Sequence, residues 1–178
     1  DSTKAKKVVG CEEHVKWAKE CADRSVTLVK EEKGVLPLST DKYKKILYIP
    51  LEDSPEKAHS AKAGVCDHFM ELLKKEGFDV VRFSIDSGDV EGAMKKGKEY
   101  YDQFDLILYV ANLANRSNQT IVRIEWADPM GANVPSHIEQ IPTVFVSLEN
   151  PYHLYDAPRV KTFINAYHSG EIIQEAVM

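Results

Sequence analysis

Hydrophobic and polar positions along this chain alternate between a helical and a strand-like pattern. The first pattern has helical spacing and predicts one long amphipathic helix over residues 11–32, ended by Gly34 and followed by Pro37. A second helix is predicted over 59–76, where Gly77 is the stop signal. The apolar stripe of the first helix consists of Val15, Ala18, Cys21 or Ala22, Ser25, and Leu28 or Val29.

Short apolar runs between these patterns predict buried strands. The run over 104–111 is apolar almost throughout, which is typical of a strand covered by other elements on both faces. The run over 46–49 is closed by Pro50. The predicted strands are 46–49, 78–85, 104–111, 143–148 and 160–167.

Strands alternate with helices, and this order predicts the fold class. Further helices are expected over 90–101, 120–127 and 169–178. Right-handed crossovers then give an α/β fold, a three-layer αβα sandwich that is flavodoxin-like and doubly wound, with a mostly parallel sheet of about five to six strands. Asn150–Pro158 is too short for a crossover helix, so the relation of the last two strands stays open, as does an antiparallel edge strand.

Both ends of the sequence suggest a domain cut from a longer protein. Residues 1–7 lack an initiator Met and resemble a linker, while the last helix, with Ser169 as its expected N-cap, stops without a capping glycine. We therefore expect a linker and a leading helix over 1–38 and the αβα sandwich over 39–178, with much of the function outside this chain.

Composition excludes several classes of function. The chain has 178 residues, 43% of them hydrophobic, and a formal net charge of −5 without a basic patch, which argues against nucleic-acid binding. No apolar run approaches the roughly 20 residues that a membrane span needs. The compartment, cytoplasmic or secreted, stays open.

Cysteines and histidines do not form a recognisable metal site in the sequence. Cys21 and Cys66 fall on predicted apolar helix faces, where buried free thiols are expected. The histidines are scattered without metal-ligand spacing and are expected to be surface or capping residues. No metal or cofactor is predicted. The residues concerned are Cys11, Cys21, Cys66, His14, His59, His68, His137, His153 and His168.

The carboxyl ends of the predicted strands, where open α/β sheets bind ligands, exclude further classes. The segment after the first strand lacks a glycine-rich turn, which disfavours nucleotide or flavin binding. The strand over 104–111 leads into Asn112 rather than into a phospho-acceptor Asp, which argues against a receiver domain. A Gly-x-Ser-x-Gly elbow is also absent, which argues against a serine hydrolase.

The asparagine-rich loop after this strand is the best candidate for contact with a ligand. Asn112, Asn115, Arg116 and Asn118 supply amides and a guanidinium, which suit sugar hydroxyls or the backbone of a partner. The alternative is a solvated loop in which Asn118 caps the following helix.

Two segments resemble one family of enzymes. Residues 21–38, CADRSVTLVKEEKGVLPL, are similar to the segment that leads from the catalytic barrel into the αβα sandwich of family 3 glycoside hydrolases. Residues 144–158, VFVSLENPYHLYDAP, followed by FINAY at 163–167, are similar to a pattern of the β-N-acetylglucosaminidase branch. The matching residues have structural roles, so they identify the family without being catalytic.

The resemblance implies a bacterial retaining glycosidase whose nucleophile lies on an N-terminal barrel outside this chain. The Glu-x-x-Asp-Arg-like stretch of the family's β-glucosidases is missing here, which favours the branch in which an Asp–His pair on a barrel loop performs acid–base catalysis. The implied partners are that barrel and a carbohydrate substrate. On this interpretation no residue of the chain is catalytic, and the loop over 112–118 edges the active site.

Two alternatives remain. In the first, the parent is of the β-glucosidase or β-xylosidase type and Glu52 or Glu125 is its acid/base, although Glu125 is expected inside a helix. In the second, the chain is a flavodoxin-like binding or interaction module that works without a barrel.

Overall fold

The computed structural model describes residues 2–52, 64–84, 97–115, 122–126, 131 and 133–178. Its helices are α1 (Ser2–Val8), α2 (Glu12–Ser25), α3 (Val65–Lys75), α4 (Lys98–Tyr101) and α5 (Glu171–Val177), with a 3-10 helix at His153–Tyr155. Its strands are β1 (Thr27–Glu31), β2 (Lys45–Glu52), β3 (Asp79–Arg82), β4 (Leu106–Asn112), β5 (Thr143–Ser147) and β6 (Thr162–Asn165).

The strands form one six-stranded sheet in the order β1-β6-β5-β4-β2-β3. Neighbours from β6 to β3 are parallel, and β1 pairs antiparallel with β6 at the edge. Counted along the chain, the parallel strands follow the order of the flavodoxin fold. The predicted α/β sandwich with a mostly parallel sheet is confirmed, and the last two strands, whose relation was open, are parallel.

Apolar side chains cover both faces of the sheet. One face packs against α3 and α5 through Phe69, Leu73 and Ile173. The other carries a row of aromatic rings, in which Phe145 stacks on Tyr109 at 5.7 Å and on Phe163 at 5.0 Å between centroids. Every residue of β4, β5 and β6 is buried, as expected for central parallel strands.

A cavity of about 470 Å³ lies on the first face, between α3 and α5. Its walls include Phe69 and Leu73 from α3, Val144 and Val146 from β5, and Val177 from α5. The helical layer on this face therefore covers the strands incompletely.

The long helix predicted over 11–32 is wrong. Helix α2 ends at Ser25, whose hydroxyl donates to the carbonyl of Ala22 at 3.0 Å, and the chain continues as strand β1. Residues 26–29 are mostly β-branched, and pairing with β6 satisfies their backbone groups better than another helical turn would. The division into 1–38 and 39–178 stays a prediction. Strand β1 lies before that boundary and is nevertheless an edge strand of the sheet.

Other element boundaries also differ from the prediction. Strand β2 runs on through Pro50 to Glu52, because β3 pairs with it only as far as Tyr48, so the missing N–H of the proline leaves no carbonyl of β3 without its donor. Helix α5 has Gly170 rather than Ser169 as its N-cap, and the backbone N–H of Gly170 donates to Nδ1 of His168 at 2.8 Å.

Five segments of the predicted elements lie outside the described residues: 59–63, 85, 90–96, 120–121 and 127. The helix expected over 120–127 is wrong where it is described, because residues 122–126 are irregular. Cys66 is buried as expected, but Cys21 is exposed because α2 turns that side away from the sheet.

Candidate functional site

The carboxyl ends of the central strands place four polar residues in a row at one end of the sheet, which we call the polar edge. These are Glu52 on β2, Asn112 on β4, Ser147 on β5 and Asn165 on β6. Glu52 lies opposite Asn112 in the β2–β4 register, and Ser147 lies opposite Asn165 in the β5–β6 register. This edge is where an open α/β sheet offers a binding site, so the surroundings of each residue decide what the edge can do.

Glu52 serves the N-terminus of α3. Its Oε1 accepts a hydrogen bond of 2.8 Å from the backbone N–H of Cys66, in the first turn of that helix. The N-cap position itself is Gly64, which supplies no side chain, so β2 provides the acceptor that the helix start lacks. Tyr48 fixes the same turn by donating its hydroxyl to the carbonyl of Cys66 at 2.6 Å.

Ser147 and His153 form a buried pair beneath the loop that joins β5 to β6. The hydroxyl of Ser147 donates to the carbonyl of Asn150 at 2.5 Å, and Nδ1 of His153 lies 2.9 Å from Oγ of Ser147. Because the serine proton is used on the carbonyl, Nδ1 of His153 carries the hydrogen and donates it to Ser147.

Burial keeps His153 uncharged. The side chain is fully buried, and this burial lowers the pKa of His153 to about 4. The negative charge of the nearby Asp156 raises the pKa, but by less than burial lowers it. Within the described part of the chain, its Nε2 has no hydrogen-bond partner. The prediction that His153 is a surface or capping residue is therefore wrong, because the loop folds back over it.

The Ser147–His153 pair is not a hydrolytic triad, although Asp156 lies near it. The carboxylate of Asp156 accepts the backbone N–H of Ile124 at 3.2 Å and forms an ion pair with Arg123. Ser147 is 1% exposed, and its proton points to a backbone carbonyl. A substrate cannot reach this hydroxyl, so the pair holds the loop rather than performing nucleophilic chemistry.

The same loop also anchors the segment that follows β4. Asn150 donates from Nδ2 to the carbonyl of Val122 at 3.4 Å, and Asp156 holds the next two residues. Asn165 donates to the carbonyl of Pro151 at 3.2 Å, which ties the loop to the end of β6. The edge of the sheet is thus one hydrogen-bonded assembly of two loops.

The predicted contact loop is described only in part. Asn112 is buried at the end of β4, and Asn115 is exposed three residues later. Arg116 and Asn118 lie outside the described residues. The role of these four residues as a substrate-edge or barrel-interface loop stays a prediction.

The two candidate acidic residues have different surroundings. Glu125 is exposed and lies in the irregular segment 122–126, so its expected place inside a helix is wrong. Glu52 is half-buried and bound to α3.

Sequence reasoning missed Ser147, His153 and Asp156 as the residues that organise this edge. The signal that was present is the run from Asn150 to His153 directly after a buried strand, since an Asx–Pro turn brings the following residues back towards the strand end.

The described residues offer neither a metal site nor a helix that crosses a membrane. No group of three or more His, Cys, Asp or Glu side chains in them is placed to hold a metal ion. In the same residues, no helix combines the length and apolar character required to cross a membrane.

Comparison with known proteins connects the chain to enzymes that act on β-glycosides. No family model matches the sequence. A protein of Cellulomonas fimi described as a beta-N-acetylglucosaminidase/beta-glucosidase is 47% identical over 167 residues, which is 93% of this chain but 29% of that protein.

Solved structures show the same relation. The beta-glucoside phosphorylase BglX superimposes with a TM-score of 0.76 and 37% identity over 96% of this chain and 30% of its own. A β-N-acetylglucosaminidase from Paenibacillus sp. str. FPU-7 shares the fold, with a TM-score of 0.63 and 19% identity over 95% of this chain and 30% of its own. The chain therefore spans about three tenths of the length of each of these relatives.

Proposed function

Because this chain belongs to glycoside hydrolase family 3, as a C-terminal-like αβα domain, we propose that it is a non-catalytic part of a longer enzyme. The parent acts as a retaining enzyme on terminal β-linked N-acetylhexosamine residues, and its catalytic barrel lies in the same polypeptide. This domain supports the barrel and edges the active site with the loop over 112–118. The 47% identity to a beta-N-acetylglucosaminidase/beta-glucosidase over nearly the whole chain is the observation that carries the proposal.

The geometry of the strand ends supports a structural role for this domain. Retaining chemistry needs two carboxyl groups about 5–5.5 Å apart across the glycosidic bond. The carboxylate of Glu52 accepts the backbone N–H of Cys66 at the start of α3. The carboxylate of Asp156 accepts from Ile124 and pairs with Arg123. Neither carboxylate is available for proton transfer to a sugar without breaking the contacts that order the edge.

Transfer to phosphate is a second candidate for the parent, favoured by the 37% identity to a beta-glucoside phosphorylase. In hydrolysis, water attacks the glycosyl intermediate. In phosphorolysis, inorganic phosphate attacks it and the product is a sugar 1-phosphate. Adding phosphate to the assay separates the two reactions.

The test compares the full-length parent with this chain. We expect the parent to release aryl alcohol from an aryl β-N-acetylglucosaminide faster than from an aryl β-glucoside, and the 178-residue chain to release none. A rate that rises with phosphate and yields a sugar 1-phosphate identifies a phosphorylase. Turnover by this chain alone would contradict the non-catalytic role.

The acid/base alternative has its own test in the parent. Replacing a true acid/base removes the proton transfer, which contributes about 10²–10⁴-fold to the rate. If Glu125→Gln causes such a loss and azide restores turnover, this domain supplies the acid/base and the branch assignment fails. We expect Glu125→Gln to leave kcat within about twofold.

A further inference from the structure

Strand β1 is held in the sheet by little apolar packing. None of its residues is buried, and Leu28 and Val29 are 50% and 44% exposed. It pairs with β6 alone, and the register of that pairing shifts between Leu28 and Lys30. The central strands are buried throughout, so the hydrophobic effect contributes far less to holding β1 than to holding them.

Charged side chains join the end of β1 to two other segments of the sandwich. They are Lys30, Glu32 and Lys33 from the end of β1, Glu139 from the turn before β5, and Lys161 from just before β6; we call them the edge clasp. Glu32 binds Lys30 through one carboxylate oxygen and Lys161 through the other, each at 3.1 Å. Glu139 divides its oxygens in the same way, between Lys161 at 3.4 Å and Lys33 at 3.2 Å. The edge clasp is thus one continuous chain of charges that alternate in sign.

Lys161 is the centre of the edge clasp. Its hydrogen bonds to Glu32 and Glu139 raise the pKa of Lys161. Hydrogen bonds from Lys161 and Lys30 lower the pKa of Glu32, and those from Lys33 and Lys161 lower the pKa of Glu139. The backbone N–H of Glu32 also donates to the carbonyl of Lys161 at 3.0 Å, so the ladder between the two strands ends beside the ion pairs.

Both flanks of β1 are anchored in the core, which confines any release to the strand itself. Val35 is buried in the cluster that also contains α3 and α5, and Val26 packs against the same cluster. The backbone N–H of Val35 donates to Oε1 of Glu31 at 2.9 Å. Strand β1 can therefore leave β6 while the rest of the sandwich stays folded, and such local openings need less free energy than global unfolding.

Release of β1 turns β6 into an edge of the sheet. Every residue of β6 is buried when β1 is in place. An unpaired apolar edge is a template for pairing with another chain, so proteins usually protect it. Control over β1 is therefore control over whether this edge is open.

We propose that the edge clasp controls the local release of β1 from β6 and makes this release depend on ionic strength. Salt screens exposed ion pairs, whereas it does not screen the apolar contacts that hold the central strands. The sheet keeps its six strands at low ionic strength, and a larger fraction of molecules opens to five as ionic strength rises. This inference does not rest on the proposed function.

Hydrogen exchange of backbone amides measures the release. Mass spectrometry follows exchange in peptides from residues 27–34 of the full-length parent between about 0.01 M and about 1 M sodium chloride, where the Debye length falls from about 30 Å to about 3 Å. Peptides from β5, which is buried throughout, are the internal reference. Each rate is divided by that of the unfolded chain in the same salt. No substrate is needed, so failure of this proposal and failure of the proposed activity are distinguishable.

We expect exchange in 27–34 to rise at least about threefold over this range of salt while exchange in β5 stays constant. Lys161→Met keeps the aliphatic stem but removes the central ammonium, so it should cause a similar rise at low salt and remove most of the salt dependence. Lys161→Arg keeps the charge and should keep the protection. Lys74→Met is the matched control, because it removes the same charge from an exposed pair with Glu71 on α3 and should leave 27–34 unchanged.

Three results would overturn the proposal. The first is exchange in 27–34 that does not change with salt. The second is an equal rise in the β5 peptides, because the opening is then global. The third is a Lys161→Met protein in which exchange of 27–34 and its dependence on salt both match the unchanged protein.

Discussion

His153 shows how a single side chain can order a whole edge of the sheet. It occupies a fully buried position, donates to Ser147 and thereby fixes the carbonyl of Asn150 that the serine binds. The burial that makes this contact rigid also makes a positive charge at His153 costly. The stability of the loop therefore depends on the imidazole staying neutral.

Acid should destabilise the protein through His153. The folded-state pKa of His153 is about 4, below the usual value of 6.5, so the unfolded chain takes up the proton first as pH falls. The stabilisation is present above pH 6.5 and is lost between 6.5 and 4. We expect a loss of up to about 3 kcal/mol in the free energy of unfolding across this window, beyond the loss in a His153→Asn variant. Urea unfolding of the unchanged protein and of His153→Asn at several pH values measures the two losses. Parallel curves of unfolding free energy against pH would contradict the role given to His153.

Helix α3 illustrates how an element is closed at both ends. At its C-terminus, Gly77 has a φ of 91°, and the backbone N–H groups of Gly77 and Phe78 donate to the carbonyls of Lys74 and Leu73. This is a Schellman motif, and the glycine provides the left-handed residue that it requires. At its N-terminus the helix depends on Glu52 from the neighbouring strand.

Removing the carboxylate of Glu52 should therefore weaken α3 rather than abolish chemistry. Glu52→Ala leaves the N–H of Cys66 without its acceptor, and we expect a loss of about 1 kcal/mol in the free energy of unfolding. Glu52→Gln keeps an acceptor oxygen and should lose less. Urea midpoints of the two variants test this order. If Glu52→Gln instead leaves the midpoint unchanged and reduces kcat of the parent by a hundredfold or more, about the scale of a lost proton transfer, Glu52 is catalytic.

The elements themselves were predictable to different degrees. Strand β4 could be predicted from its nearly continuous apolar run, and helix α3 from its helical periodicity and its glycine stop. The second half of the 11–32 helix failed because Leu28 and Val29 fit a helical stripe and an exposed edge strand equally well. Pairing with β6 decided between the two, and a partner so distant in sequence leaves no local signal.

The polar edge was less predictable than the fold. The candidate loop was found from its composition, but the Ser147–His153 contact depends on the path of the β5–β6 connection, which no local pattern reveals. A histidine in a polar segment is most often exposed, and here tertiary folding overrides that tendency.

At the scale of the whole molecule, the fit between the layers is uneven. The aromatic row fills one face of the sheet, while the other face keeps the cavity between α3 and α5. Protein interiors are otherwise close-packed, so added volume has opposite effects in filled and unfilled regions.

Two matched substitutions should show this difference. Val146 lines the cavity, whereas Val110 is fully buried in the same core cluster away from the cavity wall. We expect Val146→Ile to be neutral or to stabilise by up to about 1 kcal/mol, because the added methylene enters empty space. Val110→Ile should destabilise by about 1–3 kcal/mol through overpacking. Urea unfolding compares the two, and equal losses would contradict the cavity as described.

The antiparallel pairing of β1 with β6 has a consequence for the order of folding. Thr27 pairs with Asn165, so this contact closes the largest loop in the sheet and carries a high entropic cost. The parallel strands pair with partners that are closer in sequence, so their pairing can precede that of β1 with β6. During synthesis on the ribosome, β1 emerges before every other strand of the sheet, yet its partner is the last to be made. The edge that completes the sheet is thus the first to appear and the last to close.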